Sequence, residues 1–257
     1  MVVLIIMNSN EKDFVFGKHA GLDFLKTQNA DRINKIFLQE NLQASLTNEV
    51  YTLAKKKKII VQLVPKSKLD RLVAGANHQG LVLTIASFEY AALDELLDQF
   101  ERQEREPFLL MLDSIEDPHN LGSILRTADA TGVDAVIIPK RHATGLTSVV
   151  AKTSTGAIDH VPVARVNNLV QTSQMLKKRG YWLFGTDMTG TDYRKWNSNG
   201  RTVLVIGNEG KGISRLLKEQ MDQMLTLPMV GQVQSLNASV ATGVLLYQML
   251  NSRNPLQ

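Results

Sequence analysis

Ile206-Gly207-Asn208-Glu209-Gly210-Lys211-Gly212-Ile213-Ser214 closes an apolar run. Two blocks follow it, Leu227-Pro228-Met229-Val230-Gly231 and Ser235-Leu236-Asn237-Ala238-Ser239. An earlier block, Asn120-Leu121-Gly122-Ser123-Ile124-Leu125-Arg126-Thr127-Ala128-Asp129, belongs with them. Apolar runs that end in loops of Gly, Asn, Ser and Glu are how α/β proteins place a ligand site at the ends of their strands. Predicted strands around these blocks are Phe108 to Leu112, Ala135 to Ile138, His160 to Val163, Tyr181 to Gly185, Thr202 to Ile206 and Met224 to Leu227. Helices fit between them, the last over Asn237 to Leu250. Near-continuous apolar strands joined by helices predict a parallel sheet covered on both faces.

The first part of the chain also alternates β and α patterns. Val15-Phe16-Gly17 reads as a strand entering a helix over His19 to Thr27. Strands are predicted at Ile33 to Gln39, Ile59 to Leu63 and Leu81 to Ala86. Thr47 to Lys57 reads as a helix with Thr47 as its N-cap and Val50, Leu53 and Ala54 on one face. Pro65 to Val73 suits a short helix with Pro near its first turn. The sum is a small α/β domain over 14–88. Ala91 to Glu106 has helical spacing at Leu93, Leu96, Leu97 and Phe100 and reads as a connector ending before Pro107. That places a linker at 89–106 and a second domain at 107–257.

Composition narrows the chemistry. The 257 residues are 44% hydrophobic and 21% charged, ordinary for a globular chain that buries a core. With no cysteine, disulfides, zinc-thiolate sites and cysteine nucleophiles are excluded, and with them pyrimidine methylation through a cysteine adduct. A net charge of +4 fits a polyanionic partner without requiring one. No apolar run reaches membrane-spanning length. Met1 to Met7 is apolar but lacks a basic leading region and a small-residue cleavage site, so it is not read as a signal peptide. Either Met7 is the start or the extension pairs as a strand. A cytoplasmic location is the default expectation.

Each block has a plain reading beside a functional one. Gly207 to Ser214 has the spacing of a P-loop, but Ile213 stands where the phosphate-binding lysine belongs, so nucleotide hydrolysis is discounted. A glycine-rich turn is the plain reading, and Glu209 between glycines after an apolar strand raises it above that. Ser235 and Asn237 are good N-cap residues for the last helix, and cap and catalytic readings are both open. Asn120 reads as the cap of a helix to Thr131, with Leu121, Ile124, Leu125 and Ala128 on its buried face. Arg126, six residues on, reads by itself as a solvated or ion-paired arginine. Asp117 and His119 lack the strained serine elbow of a hydrolase triad. Lys55 to Lys58 suits a helix C-terminus. Lys140-Arg141-His142 is open between a solvated loop and an RNA contact.

Together, in this order and spacing, the blocks resemble the SpoU (TrmH) family of RNA ribose 2′-O-methyltransferases. Asn120, Gly122 and Arg126 match its first block, and Gly207, Glu209 and Gly212 its second. Pro228, Met229, Gly231, Ser235, Leu236, Asn237 and Ser239 match the third. Val15-Phe16-Gly17-Lys18-His19-Ala20 and His78-Gln79-Gly80 are similar to marks of the substrate-binding domain in the rRNA guanosine 2′-O-methyltransferase subgroup. The resemblance implies a SPOUT fold, an α/β domain with a deep trefoil knot, preceded by a ribosomal-protein-like RNA-binding domain. Such knots are exceptional.

It implies S-adenosylmethionine as cofactor, held largely by backbone groups, here at Thr186, Gly207, Leu227, Met229 and Leu236. It implies a homodimer with the active site at or near the subunit interface, and no metal. Arg126 is the residue implied in activating the hydroxyl, although a guanidinium is almost always protonated and suits alkoxide stabilisation equally. Asn120, Ser235 and Asn237 would orient the ribose and Arg126, and Glu209 would fix Arg126 or the loop or pass protons. The leading expectation is methyl transfer to a guanosine of large-subunit (23S) rRNA. The rivals are a tRNA or an rRNA adenosine as acceptor, and a non-catalytic RNA-binding assembly factor.

Overall fold

The computed structural model describes residues 5–7, 13–27, 30, 32–86, 88–232 and 235–254. The chain divides into two compact units, 1–89 with 145–149, and 90–144 with 150–257.

The first unit is a five-stranded sheet in the order β1-β2-β5-β3-β4. Its strands are β1 (Ile5–Met7), β2 (Asp13–Phe16), β3 (Ile33–Gln39), β4 (Val61–Val64) and β5 (Leu81–Ile85). Of the apolar start, Ile5–Met7 pairs antiparallel with β2, and Met1–Leu4 lie outside the described residues. Helices α1 (Lys18–Lys26) and α2 (Ala44–Lys57) cover one face, packing Leu22, Leu25 and Val50 on Ile36, Leu38 and Leu83. Helix α3 (Lys66–Leu72) covers part of the other, with Leu69 over Phe14, Val64 and Val82. Several boundaries differ from expectation by one to three residues, and two of the differences have a visible cause. Helix α2 begins three residues before Thr47, whose hydroxyl bonds the Gln43 carbonyl at 3.3 Å from inside the first turn instead of capping it. Strand β4 starts at Val61 because Ile59 is still tied to the helix end, its N–H bonding the Ala54 carbonyl at 2.9 Å.

The second unit is a six-stranded, wholly parallel sheet in the order β11-β9-β10-β6-β7-β8. Its strands are β6 (Phe108–Leu112), β7 (Ala135–Pro139), β8 (Val163–Val166), β9 (Trp182–Asp192), β10 (Thr202–Ile206) and β11 (Gln223–Thr226). Both β6 and β10 are buried at every position, which explains their unbroken apolar sequence. Side chains alternate between the faces. Leu109, Met111, Val203 and Val205 pack with α4 (Leu93–Arg102), α7 (Leu169–Lys178) and α8 (Arg215–Lys218). The opposite face is covered by α5 (Pro118–Thr131) and α9 (Ala238–Arg253), which pack on each other. The helix read as a connector is α4, and Leu93, Leu97 and Phe100 are buried in this core. Strand β8 lies three residues beyond the predicted His160 to Val163, because 157–159 form a short 3-10 turn.

The chain visits β6, β7 and β8, then crosses back to β9, and only afterwards inserts β10 between β9 and β6. From the sheet edge at β11 it returns to the α5 side to form α9. This is the arrangement of the trefoil-knotted SPOUT fold. It brings the ends of β10 and β6, neighbours in space but distant in sequence, to one point. Arg253 secures the end of α9, its guanidinium donating to the carbonyls of Ser198, Glu106 and Gly200 at 2.9, 2.8 and 2.6 Å. Among the described residues, no helix is long and apolar enough to cross a membrane.

Tyr181 is buried in the core beneath α4 and α7, and burial pushes its phenol up to about 12. A raised folded value means that the phenol binds its proton more tightly in the fold than in the open chain. Its contribution is therefore complete below about pH 10 and is lost as pH rises from 10 toward 12. The loss amounts to at most about 3 kcal/mol. Denaturant unfolding followed from pH 9 to 12 should show this step in the wild type and not in Tyr181→Phe. An unchanged step in the variant would assign it to another group.

Candidate active site

At the end of β6 the buried Asp113 turns the chain. Its N–H continues the ladder to the Ile206 carbonyl at 2.8 Å. Its carboxylate accepts from the Ser114 hydroxyl at 3.0 Å and from the Ser214 N–H at 2.8 Å. Ser114 takes a left-handed φ of 63°. Helix α5 then starts one turn earlier than predicted. Asp117 is its cap, accepting the His119 N–H at 2.8 Å, with Pro118 at the first helical position. Asn120 is thus not the cap but lies inside the first turn, buried, with its amide free to bond elsewhere. Asp117 is accounted for by capping, and His119 lies 3.4 Å from the Thr153 hydroxyl. Gly122 is required where α5 meets α6 (Ser148–Ser154), since a Cβ there would come within 2.5 Å of the Thr153 Cβ.

After β10 the chain makes a tight loop. Asn208 and Gly212 exchange two backbone hydrogen bonds at 3.1 and 2.8 Å. The Asn208 side chain accepts from the N–H groups of Gly210 and Lys211 and donates to the Ser114 carbonyl at 3.2 Å. The loop closes so tightly that a Cβ on Gly207 would lie 2.2 Å from the Gly212 carbonyl carbon. Loop closure lifts Glu209 over the N-terminus of α9.

There the three blocks meet. Glu209 Oε1 accepts from Asn120 Nδ2 at 2.6 Å, from Asn237 Nδ2 at 3.0 Å and from the Ala238 N–H at 3.2 Å. Asn237 Nδ2 also bonds Asn120 Oδ1 at 3.0 Å. Asn237 Oδ1 caps α9, accepting from the Ser239 and Val240 N–H groups. One amide therefore caps a helix, as the cap reading of Asn237 expects, and also completes a polar triangle. The N-termini of α5 and α9 converge on the Glu209 carboxylate, where helix dipoles favour a negative charge.

The remaining candidates make no hydrogen bond to this triangle among the described residues. Arg126 is exposed on α5, and its side chain makes no hydrogen bond or ion pair among the described residues. Glu209 thus binds Asn120 on α5 and the N-terminus of α9 rather than Arg126. Ser235 is exposed just before α9, also without a partner among the described residues. Thr186 in β9 donates its hydroxyl to the Val205 carbonyl at 3.3 Å. Leu227 follows β11, Met229 is 36% exposed, and Leu236 is half-buried. Among the described residues, Leu227 to Gln232 and Leu236 enter no backbone hydrogen bond, so their N–H and carbonyl groups remain available to a ligand. Asp113 and Asn208, which hold the first loop to the second, were not singled out from the sequence. Their one signal is an acid or amide directly at the end of an apolar strand. The Lys140-Arg141-His142 loop follows β7 at the same end of the sheet, with His142 Nδ1 3.8 Å from Glu116.

Residues 107–247 match the SpoU rRNA Methylase family, and 14–91 match the RNA 2′-O ribose methyltransferase substrate binding domain. YacO of Bacillus subtilis, assigned by name to the TrmH family of tRNA/rRNA methyltransferases, is 49% identical over 96% of this chain and 99% of its own length. The solved TrmH/SpoU tRNA modifying enzyme of A. aeolicus is 29% identical, with a TM-score of 0.53 over 62% of this chain and 84% of that one. The SpoU methyltransferase AviRb of Streptomyces viridochromogenes, solved in complex with AdoMet, shares the fold. Its TM-score is 0.58 at 23% identity, over 95% of this chain and 91% of its own.

Proposed function

Because this chain belongs to the SpoU family of RNA methyltransferases, we propose that it transfers a methyl group from S-adenosylmethionine to a ribose 2′-hydroxyl, at a guanosine of large-subunit (23S) rRNA, as a cytoplasmic homodimer. The observation that carries this reading is the Asn120–Glu209–Asn237 triangle with an unpaired guanidinium, Arg126, on the same helix as Asn120.

The residues present fit the cofactor. The unengaged backbone of 227–232 and Leu236 offers donors and acceptors, and Leu227, Met229 and Leu236 offer apolar surface. Thr186 and Gly207 would hold the neighbouring strand ends. When bound, S-adenosylmethionine supplies a methyl group on a sulfonium, whose sulfur leaves as a neutral thioether. The chain's own task is to align the hydroxyl oxygen with that carbon and to stabilise the alkoxide as its proton passes to solvent water. Arg126 would hold the forming alkoxide by charge-assisted hydrogen bonds. Asn120 and Asn237 are fixed by Glu209, so they position ribose without reorganising, and Ser235 adds a hydroxyl at the mouth of the site. The homodimer is supported by Val240 and Tyr247 on α9, both large, exposed and seven residues apart, hence on one helix face.

The test is transfer of labelled methyl groups to RNA from cells lacking this protein, with nuclease mapping of the product. A single 2′-O-methylguanosine in large-subunit rRNA is expected. A tRNA acceptor is the second reading, favoured by the name of the A. aeolicus relative. Label in tRNA would select it. No label in any RNA or ribosomal particle, despite S-adenosylmethionine binding, would leave the assembly-factor reading standing.

A further inference from the structure

Residues 14–88 contain eleven Lys and Arg against five Asp and Glu, a net charge of +6, whereas the whole chain carries +4. The whole unit, residues 1–89 with 145–149, has twelve Lys and Arg against eight Asp and Glu, so it carries the full +4 and the rest of the chain is neutral. Within that unit the lysines are not equivalent. Lys26 pairs with Glu49 at 2.9 Å, and Lys57 donates to the Thr27 carbonyl at 2.7 Å. Lys35 and Lys68 are half-buried, and their ammonium groups have no hydrogen bond or ion pair among the described residues. Both lie over one ring instead. Lys35 Nζ is 5.7 Å and Lys68 Nζ 5.6 Å from the centroid of Phe37, itself only partly buried.

The ring faces attract cations and hold the two stems in place, so little side-chain freedom is left to lose on binding an anion. A plain reading is that the stems shelter Phe37 from water. It leaves both ammonium groups without a carboxylate partner among the described residues, so each is open to an anion. The acids nearby do not supply one. Asp70 on α3 is engaged by His78 Nε2 at 3.0 Å, and Glu40, beyond the end of β3, is exposed. The two centroid distances allow the ammonium groups to be up to about 11 Å apart.

We propose that Lys35, Phe37 and Lys68 form a backbone clamp for the RNA substrate, two ammonium groups meeting phosphates of one strand while the ring fixes their positions. The clamp rests on the methyltransferase reading only for RNA as the polyanion, in line with the substrate-binding family match over 14–91.

The experiment compares the full-length wild type with Lys35→Gln/Lys68→Gln, which keeps most of each stem over Phe37 and removes both charges. Binding to a 23S rRNA transcript is measured from 0.05 to 0.3 M salt, alongside S-adenosylmethionine affinity and thermal unfolding. Loss of two phosphate contacts should weaken RNA binding by about tenfold near 0.1 M salt and flatten the log–log salt slope by about 1.4. Cofactor affinity and melting should stay as in the wild type, and Lys35→Arg/Lys68→Arg should restore binding. Unchanged RNA affinity and slope in the Gln variant overturn the clamp, whether the lysines only shelter Phe37 or meet an acidic protein segment. A wild type that binds the transcript through these lysines yet methylates no RNA would sink the methyltransferase reading and leave the clamp intact.

Discussion

Arg126→Ala is expected to keep S-adenosylmethionine affinity within about twofold while lowering methyl transfer by about 100- to 1,000-fold, the usual cost of removing one donor to a developing oxyanion. The separation follows from where the side chain sits. Arg126 is exposed on the third turn of α5, and no other described residue depends on it for a hydrogen bond or ion pair. The cofactor candidates come from other segments, the middle of β9, the ends of β10 and β11 and the approach to α9. Single-turnover transfer and calorimetric titration of the cofactor measure the two effects independently. Arg126→Lys should recover only part of the rate, because an ammonium cannot reproduce the planar fork of a guanidinium. Comparable loss of cofactor binding and transfer would show Arg126 to be structural.

Gly207→Ala should abolish more than transfer. Its Cβ would stand 2.2 Å from the Gly212 carbonyl carbon and 2.3 Å from the Ile213 nitrogen, both backbone atoms that no rotamer can move. The loop must open, separating Asn208 from Gly212 and carrying Glu209 away from Asn120 and Asn237. A drop of at least about tenfold in cofactor affinity is expected, equivalent to about 1.4 kcal/mol, with transfer near background. Gly210→Ala is the control within the same loop. Its Cβ would meet only the Asn208 side chain at 3.6 Å, so both quantities should stay close to the wild type. Equal damage from the two substitutions would mean that loop entropy, not the close approach at Gly207, sets the site.

Much of this was legible because strand burial writes itself into composition. Phe108–Leu112 and Thr202–Ile206 are buried at every position and can be read directly as core strands, and both were placed to the residue. Helix starts were less legible. Asn120 and Thr47 are good caps by residue type, yet Asp117 and Gln43 occupy those places. Pro118 preorganises the earlier start of α5, and the tertiary role of Asn120 is to reach Glu209. Asn237 shows the opposite outcome, since one side chain serves as cap and as part of the triangle.

The sequence by itself determined the alternation of elements, the glycine and polar loops that end the strands, and the family to which those blocks belong. These are local properties, set by periodicity, by which residues tolerate a turn, and by the identity of a few side chains. Only the tertiary structure decided that Asn120, Glu209 and Asn237 touch, because 89 and 28 residues separate Glu209 from its two partners. Their contact depends on β10 being inserted between β9 and β6 and on α9 returning across the strand ends. No local propensity encodes that order. It is selected by burying both faces of one parallel sheet at once, with α5 packed against α9.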